Sequence, residues 1–289
     1  MRLFYYVHTG HRIGLDRFHR AVAIINGLGD VDITLLSPDY RIAAEAKDFG
    51  IKRSVGMDVV RNIPQIAQHG DKIIFDSAEL NPMLLDDMSQ FFSTFIRIGD
   101  SPSDTKHPNE FLISPYLSGE GIAQGVIVGE HYYEQRPKTI PMALFFGDDD
   151  YEKDLGVHQE MFASYKMDLL MGFYHFLGYE KALQDSFKTL YEWEEYDEVI
   201  RGTDVLVTAS PMAVLQNLAG GGRPIYLQRP DYARDYIPLF ESLRIPIVDG
   251  YDASSLAMAI DSLSEVVYDK LEQSEHKIIE FIRQKFNLG

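Results

Sequence analysis

The chain has 289 residues, 45% of them hydrophobic, a formal net charge of −17 at pH 7 and an isoelectric point near 4.9. So acidic a surface repels the phosphates of nucleic acids and anionic lipids, and no Lys/Arg cluster offsets it, which excludes both as partners. The absence of cysteine excludes disulfides, thiolate chemistry and cysteine-bound zinc or iron–sulfur.

The length predicts about two domains. No run of 18 apolar residues predicts a transmembrane helix. The N-terminus enters a strand directly, without the pattern of a signal peptide, so a cytoplasmic location is expected.

In chain order, the apolar run Arg2–Val7 predicts a strand that breaks at His8-Thr-Gly-His11, and a helix restarts at Asp16. Leu15, Phe18, Val22 and Ile25 form its buried stripe, which leaves His19 and Arg20 on other faces. Strands follow at Val31–Leu36, Lys72–Phe75, Thr94–Arg97, Phe111–Ile113 and Gly125–Val128. Helices are expected at Arg41–Phe49, Val59–Gln68 and Leu84–Phe91, and a loop from Gly99 to Asn109. Arg136-Pro137-Lys138 reads as the linker, so the boundaries drawn are 1–136, 139–262 and a final segment 263–289.

The second half repeats the device. The strand Ile140–Phe146 breaks at Gly147-Asp-Asp-Asp150, and a helix follows near Leu155–Tyr165. Strands at Asp168–Tyr174, Lys188–Trp193, Asp204–Thr208, Pro224–Gln228 and Ile245–Val248 alternate with helices at Tyr179–Gln184, Tyr196–Arg201, Met212–Ala219 and Tyr236–Leu243. Residues 253–287 read as helical. Strands alternating with helices predict an α/β chain with a parallel sheet in each half.

A buried strand, a polar turn and a helix N-terminus form the place where α/β proteins hold small anions. The first such turn carries two glycines, Gly10 and Gly14, and His8, His11 and His19 cluster about it with Asp16 at the expected N-cap. Histidines there can transfer protons near neutral pH, or the segment is a tight turn with solvated rings. The acidic turn Gly147–Asp150 would repel a phosphate unless a divalent cation intervened, and it reads more simply as a helix cap. Thr208-Ala209-Ser210-Pro211-Met212 ends a strand and opens a helix, with Ser210 as cap and Pro211 in the first helical position. Its hydroxyls and free N–H groups could hold a phosphate, with Arg229 as a cation at the same sheet edge. Asp76 ends a buried strand, as a ligand group or as a cap. Tyr191 and Trp193 could stack on a base or simply pack in the core.

The motifs Ile13-Gly-Leu-Asp-Arg-Phe-His-Arg20, Asp76, Phe145-Phe-Gly-Asp-Asp149 and Val207-Thr-Ala-Ser210 resemble, in this order, the UDP-sugar hydrolase of pseudaminic acid biosynthesis. That enzyme is a GT-B-fold relative of the peptidoglycan N-acetylglucosaminyltransferase. The resemblance implies two Rossmann-like domains with parallel sheets facing a cleft, and a C-terminal helix crossing back to the first. It implies a nucleotide sugar as substrate, without a required cofactor and with magnesium optional. The first domain would supply catalysis by His11, His19 or Asp16 and sugar contacts from Gly10, Gly14, Arg17 and Asp76. The second would hold the nucleotide through Gly147, Thr208, Ser210, Met212, Gln216, Asn217 and Arg229. Asp16-Arg17 stand where the hydrolase opens its first helix with Gly-His. Gln216-Asn217 occupy the stretch where an acidic residue commonly holds the ribose.

The leading expectation is therefore a glycosyltransferase or nucleotide-sugar hydrolase of bacterial surface- or flagellin-glycan assembly, with a glycan or protein acceptor. The alternative is a GT-B-like protein without catalysis that binds a glycan, a nucleotide or a protein. A dinucleotide-dependent oxidoreductase lacks support, because no Gly-x-Gly-x-x-Gly follows either first strand.

Overall fold

The structure, a computed structural model, describes residues 1–79, 81–174 and 178–288. Gly289, the end of the expected segment 263–289, lies outside them. The chain divides into two compact units. Unit 1 comprises Met1–Gly10, Arg17–Gly129 and Glu272–Gly289, and unit 2 comprises His11–Asp16 and Glu130–Leu271.

Unit 1 is built on seven parallel strands: β1 (Leu3–Val7), β2 (Ile33–Ser37), β3 (Ser54–Gly56), β4 (Lys72–Asp76), β5 (Thr94–Ile98), β6 (Phe111–Ser114) and β7 (Ile122–Gln124). Their order is β3-β2-β1-β4-β5-β6-β7. All five residues of β1 are buried, as a strand covered on both faces requires. Leu3 pairs with Ile33 on one side and Lys72 on the other, so β1 and β4 mark the point where strand order reverses. In doubly wound sheets ligands bind at the carboxyl ends of such strands. Phe4, Tyr6, Phe75, Phe95 and Met88 form a core on one face.

The helix Glu275–Phe286 also belongs to unit 1. It buries Ile278, Ile279, Ile282 and Phe286. Arg283 donates to the Leu28 carbonyl at 2.8 Å, and the Lys72 ammonium to that of Phe286.

Unit 2 has six parallel strands: β8 (Ile140–Phe145), β9 (Asp168–Leu170), β10 (Leu190–Tyr191), β11 (Thr203–Thr208), β12 (Arg223–Gln228) and β13 (Ile247–Asp249). The order β10-β9-β8-β11-β12-β13 repeats the pattern of unit 1, with reversal between β8 and β11. Phe145 pairs with Thr208 there. Among the described residues no helix is long and apolar enough to cross a membrane.

Several expectations are corrected. Gly125–Val128 is not a strand. The ladder lies upstream at β7 and closes with the Gly125 amide on the Ser114 carbonyl at 3.0 Å. Gly125 has φ +153°, and Ile127 and Val128 are buried by packing outside any ladder. Residues 253–287 are not one helix. They form Ala253–Asp261, a 3-10 turn Ser262–Ser264 and Glu275–Phe286. In the gap, Asp269 binds Arg244 and the Tyr268 hydroxyl donates to the Pro224 carbonyl. The helix expected at Leu155–Tyr165 is two short ones, Asp154–His158 and Glu160–Ala163, and the strand expected to Tyr174 ends at Leu170. The short edge strand β3 had no clear apolar run.

Candidate functional site

The reversal in unit 1 is occupied by an ion-pair network. Asp76, the last residue of β4, is fully buried. Its carboxylate accepts from Arg20 at 2.6 and 2.9 Å and from the Tyr5 hydroxyl at 3.0 Å. Arg20 reaches across to Asp100, beyond β5, at 2.5 Å. The sequence reading placed Arg20 outside the buried stripe of the helix Asp16–Gly27. It is instead 5% exposed, because two carboxylates from distant parts of the chain compensate its charge. Burial, reinforced by the Asp76 charge, pushes the Tyr5 hydroxyl well above its ordinary pKa, so it stays protonated and donates.

Arg17 lies one turn earlier on the same helix face. Its Nε is 3.6 Å from Asp76 and its Nη2 3.5 Å from Asp100, too far for good hydrogen bonds. His8 follows β1 directly, and its amide donates to the Asp76 carbonyl at 2.8 Å. The imidazole Nδ1 is buried without a hydrogen-bond partner, and so is Arg17 Nε. Burial lowers the His8 pKa, and the Arg17 charge adds to that against Glu79 and Asp76. A residue at the carboxyl end of β1 therefore holds a neutral imidazole near pH 7. The sequence signal was present in the histidine cluster, but nothing in it separated His8 from its neighbours.

His19 packs its ring against Phe18 and Phe49, with centroids 6.3 Å away in each case. His11 is exposed and belongs to unit 2, with its ring centroid 5.0 Å from that of Tyr151. Gly10 is buried. Gly14 has φ +79°, a conformation that favours glycine.

In unit 2 the turn after β8 spends each carboxylate separately. Asp148 accepts the Phe173 amide at 2.9 Å. Burial raises its pKa to about 7, and the charges of Asp16 and Asp149 add to the rise. Asp149 binds Arg229 at 3.0 Å and the Tyr232 hydroxyl. Asp150 accepts the Asp154 amide at 2.7 Å, at the start of the helix Asp154–His158. Among the described residues no group of three or more His, Asp or Glu side chains could hold a metal ion. Gly147 (φ +109°) and Gly172 let two turns touch. A Cβ on Gly172 would lie 2.4 Å from the Gly147 carbonyl oxygen and 2.7 Å from Asp148 Cα.

The junction after β11 has the expected local chemistry. Ser210 caps the helix Pro211–Ala219 by accepting the Ala213 amide at 3.0 Å, with Pro211 in the first turn. The Thr208 hydroxyl accepts the Ser210 amide at 3.1 Å. The Ser210 hydroxyl donates to Asp16, whose carboxylate thus lies at the positive end of this helix. Asp16 is the first residue of its own helix rather than a preceding cap.

The other residues of unit 2 singled out in the sequence are engaged within the unit. The Gln216 carbonyl accepts the buried Tyr196 hydroxyl at 2.6 Å. The Asn217 amide donates to the Ile200 and Thr203 carbonyls at 2.9 Å each. Arg229 is 3% exposed, binds Asp231 at 2.6 Å, and lies over the rings of Tyr232 and Phe146. Met212 is buried. Trp193 packs edge-on against Phe173, with centroids 4.7 Å apart.

No protein-family model matches the chain, and no curated protein matches it. Solved structures do share its fold. A UDP-GlcNAc 2-epimerase from Methanocaldococcus jannaschii, in complex with UDP-GlcNAc and UDP, has a TM-score of 0.63 at 11% identity, over 98% of this chain and 100% of that one. A Streptomyces glycosyltransferase has a TM-score of 0.56 at 9% identity, over 98% and 100%. A glycosyltransferase from Rickettsia africae has a TM-score of 0.53 at 12% identity, over 98% and 92%. The fold is the GT-B type, with two Rossmann-like domains.

Proposed function

We propose that the chain is a nucleotide-sugar-dependent enzyme that transfers the sugar to an acceptor or to water, in bacterial surface- or flagellin-glycan assembly. The observation that carries this reading is the fold likeness over nearly the whole length of both chains to enzymes named for UDP-GlcNAc or glycosyl transfer. The charged and titratable groups at both reversal points support it.

In this reading the bond from the anomeric carbon to the diphosphate breaks and the diphosphate leaves with the electron pair. An acceptor or water oxygen bonds to that carbon and gives its proton to a base. Gly10, Gly14, Arg17 and Asp76 serve the sugar side, Asp76 by fixing Arg20 and standing beside Arg17. The start of the helix Pro211–Ala219, at Thr208, Ser210 and Met212, serves the departing diphosphate with Gly147 and Arg229. Gln216 and Asn217 tie that helix to the Tyr196 hydroxyl and to the Ile200 and Thr203 carbonyls. His11, His19 and Asp16 are the bases nominated by the sequence. Magnesium is optional, and the location is cytoplasmic.

A second reading, a binding protein without catalysis, is favoured by one observation. Arg229 and Gln216 are hydrogen-bonded inside the unit, the Asn217 amide nitrogen donates to two carbonyls there, and Asp16 already holds the Ser210 hydroxyl. A thermal-shift screen separates the two. UDP, GDP, CMP and TDP and their sugar conjugates are tested with and without magnesium. A ligand at about 100 times its Kd adds roughly 2.7 kcal/mol to the folded state, a shift of several degrees. A shift with one nucleotide class, together with release of that nucleotide from its sugar conjugate, supports the enzyme. No shift with any, together with a stable complex with a glycan or second protein, supports the binder.

A further inference from the structure

Two unmet nitrogens adjoin the reversal of the unit 1 sheet. His8 Nδ1 and Arg17 Nε are sealed from solvent, and neither has a hydrogen-bond partner. Buried polar atoms are otherwise almost always paired, so each such exception calls for a reason. The reason for Arg17 is visible. Arg20 takes Asp76 and Asp100 at 2.5–2.9 Å, which leaves Arg17 at 3.5–3.6 Å from the same carboxylates. His8 is only half-buried, so the residue reaches solvent while Nδ1 does not.

We propose that His8 is the proton-transfer residue of the reaction proposed above, and that Arg17 beside it binds the substrate oxygen at which that proton is exchanged. The assignment rests on the enzyme reading. As the acceptor or water oxygen bonds to the anomeric carbon, its proton passes to the imidazole, and the electron pair of the broken carbon–oxygen bond leaves with the diphosphate. The imidazolium then returns its proton to solvent. A neutral imidazole suits this role. The groups that face His8 and set its charge are Glu79, Arg17 and Asp76. His11 is exposed and His19 is packed on Phe49, so neither shares this constellation.

The test is nucleotide release from UDP-GlcNAc and from GDP-, TDP- and CMP-sugars by the full chain and its variants. With a donor that the wild type turns over, His8→Gln is expected to lose about 10²–10⁴-fold in kcat with KM changed only a few-fold. His8→Ala should recover activity on addition of free imidazole, which a merely structural role would not do. The acid limb of wild-type kcat/KM should fall below pH 6.5, the ordinary histidine value, and Arg17→Lys should chiefly raise KM. Turnover by His8→Gln within about threefold of wild type, or a larger loss in His11→Ala than in His8→Gln, would overturn the assignment and leave the enzyme reading standing. A wild-type chain that releases nucleotide from no donor, and whose melting temperature none of these donors or their nucleotides shifts, overturns the enzyme reading, and this assignment with it.

Discussion

At the reversal of the unit 1 sheet the chain sets two arginines, Arg17 and Arg20, against two carboxylates, Asp76 and Asp100. At the matching place in unit 2 it sets three consecutive carboxylates and one arginine. In unit 1 opposite charges nearly balance, and the tighter arginine satisfies both anions, so the second keeps a donor in reserve. In unit 2 backbone amides hold Asp148 and Asp150, while Arg229 is shared by Asp149 and Asp231. Unmet oxygens in unit 2 include those of Asn217, Tyr226 and Gln228, each at most 1% exposed, and that of the part-exposed Tyr251 after β13. Equal topology thus does not imply equal use. One edge leaves an arginine nitrogen and a histidine nitrogen unmet, and the other commits its arginine and its three turn carboxylates to holding the turns.

The sharpest way to break this contrast is Arg20→Met. It leaves Asp76 buried with only the Tyr5 hydroxyl and the distant Arg17, and breaking a buried pair costs about 3–5 kcal/mol. A loss below about 1 kcal/mol in urea unfolding would mean that Arg17 replaces Arg20 and that the two arginines are not distinct.

Asp148 tests the other side. Its folded pKa of about 7 lies above the ordinary 3.8, so the folded state holds a proton that the unfolded chain releases. Stability from this group is therefore full below pH 4 and is lost as pH rises toward 7. At ~1.4 kcal/mol per pH unit the loss is on the order of 4 kcal/mol. Asp148→Asn should abolish that slope, read as the difference from wild type in unfolding midpoints at pH 4, 5.5 and 7. Parallel curves would show that the carboxyl is ionised in the folded protein.

Gly172→Ala drives a methyl into the backbone of Gly147 and Asp148, at a cost of about 1–3 kcal/mol. An unchanged melting temperature would mean that these turns are not held in contact. The smallest effect is expected from Ser210→Ala, which removes one cap and should cost ~1 kcal/mol in thermal unfolding. A change below about 0.3 kcal/mol would show that the cap is idle.

What the sequence disclosed, and what it hid, follows from the range of the forces involved. β8, β11 and β12 are legible to within a residue, because their apolar runs end at polar turns within the same segment. The cap at Ser210 is equally local. Arg20 was hidden because its burial depends on Asp76 and Asp100, which lie 56 and 80 residues away in sequence. The spacing of Arg17 and Arg20 on one helix face, read against a carboxylate ending a buried strand, was the available clue. The break after Ser264 was hidden for another reason. Leu256, Ile260, Leu263, Val267 and Leu271 keep helical spacing, yet Val267 is exposed, and the segment is held instead by Arg244 and the Pro224 carbonyl.

The helix Glu275–Phe286 sets an order in time. It closes unit 1, yet a ribosome makes it only after all of Glu130–Leu271. The His11–Asp16 part of unit 2 has long since emerged by then. Unit 2 therefore has every residue it needs while unit 1 still lacks the seats filled by Ile278, Ile279, Ile282 and Phe286. A nascent chain thus carries an apolar groove beside Gly27 and Leu28, which the helix later covers. Unit 1 would then be the last part of the molecule to become resistant to proteases during synthesis.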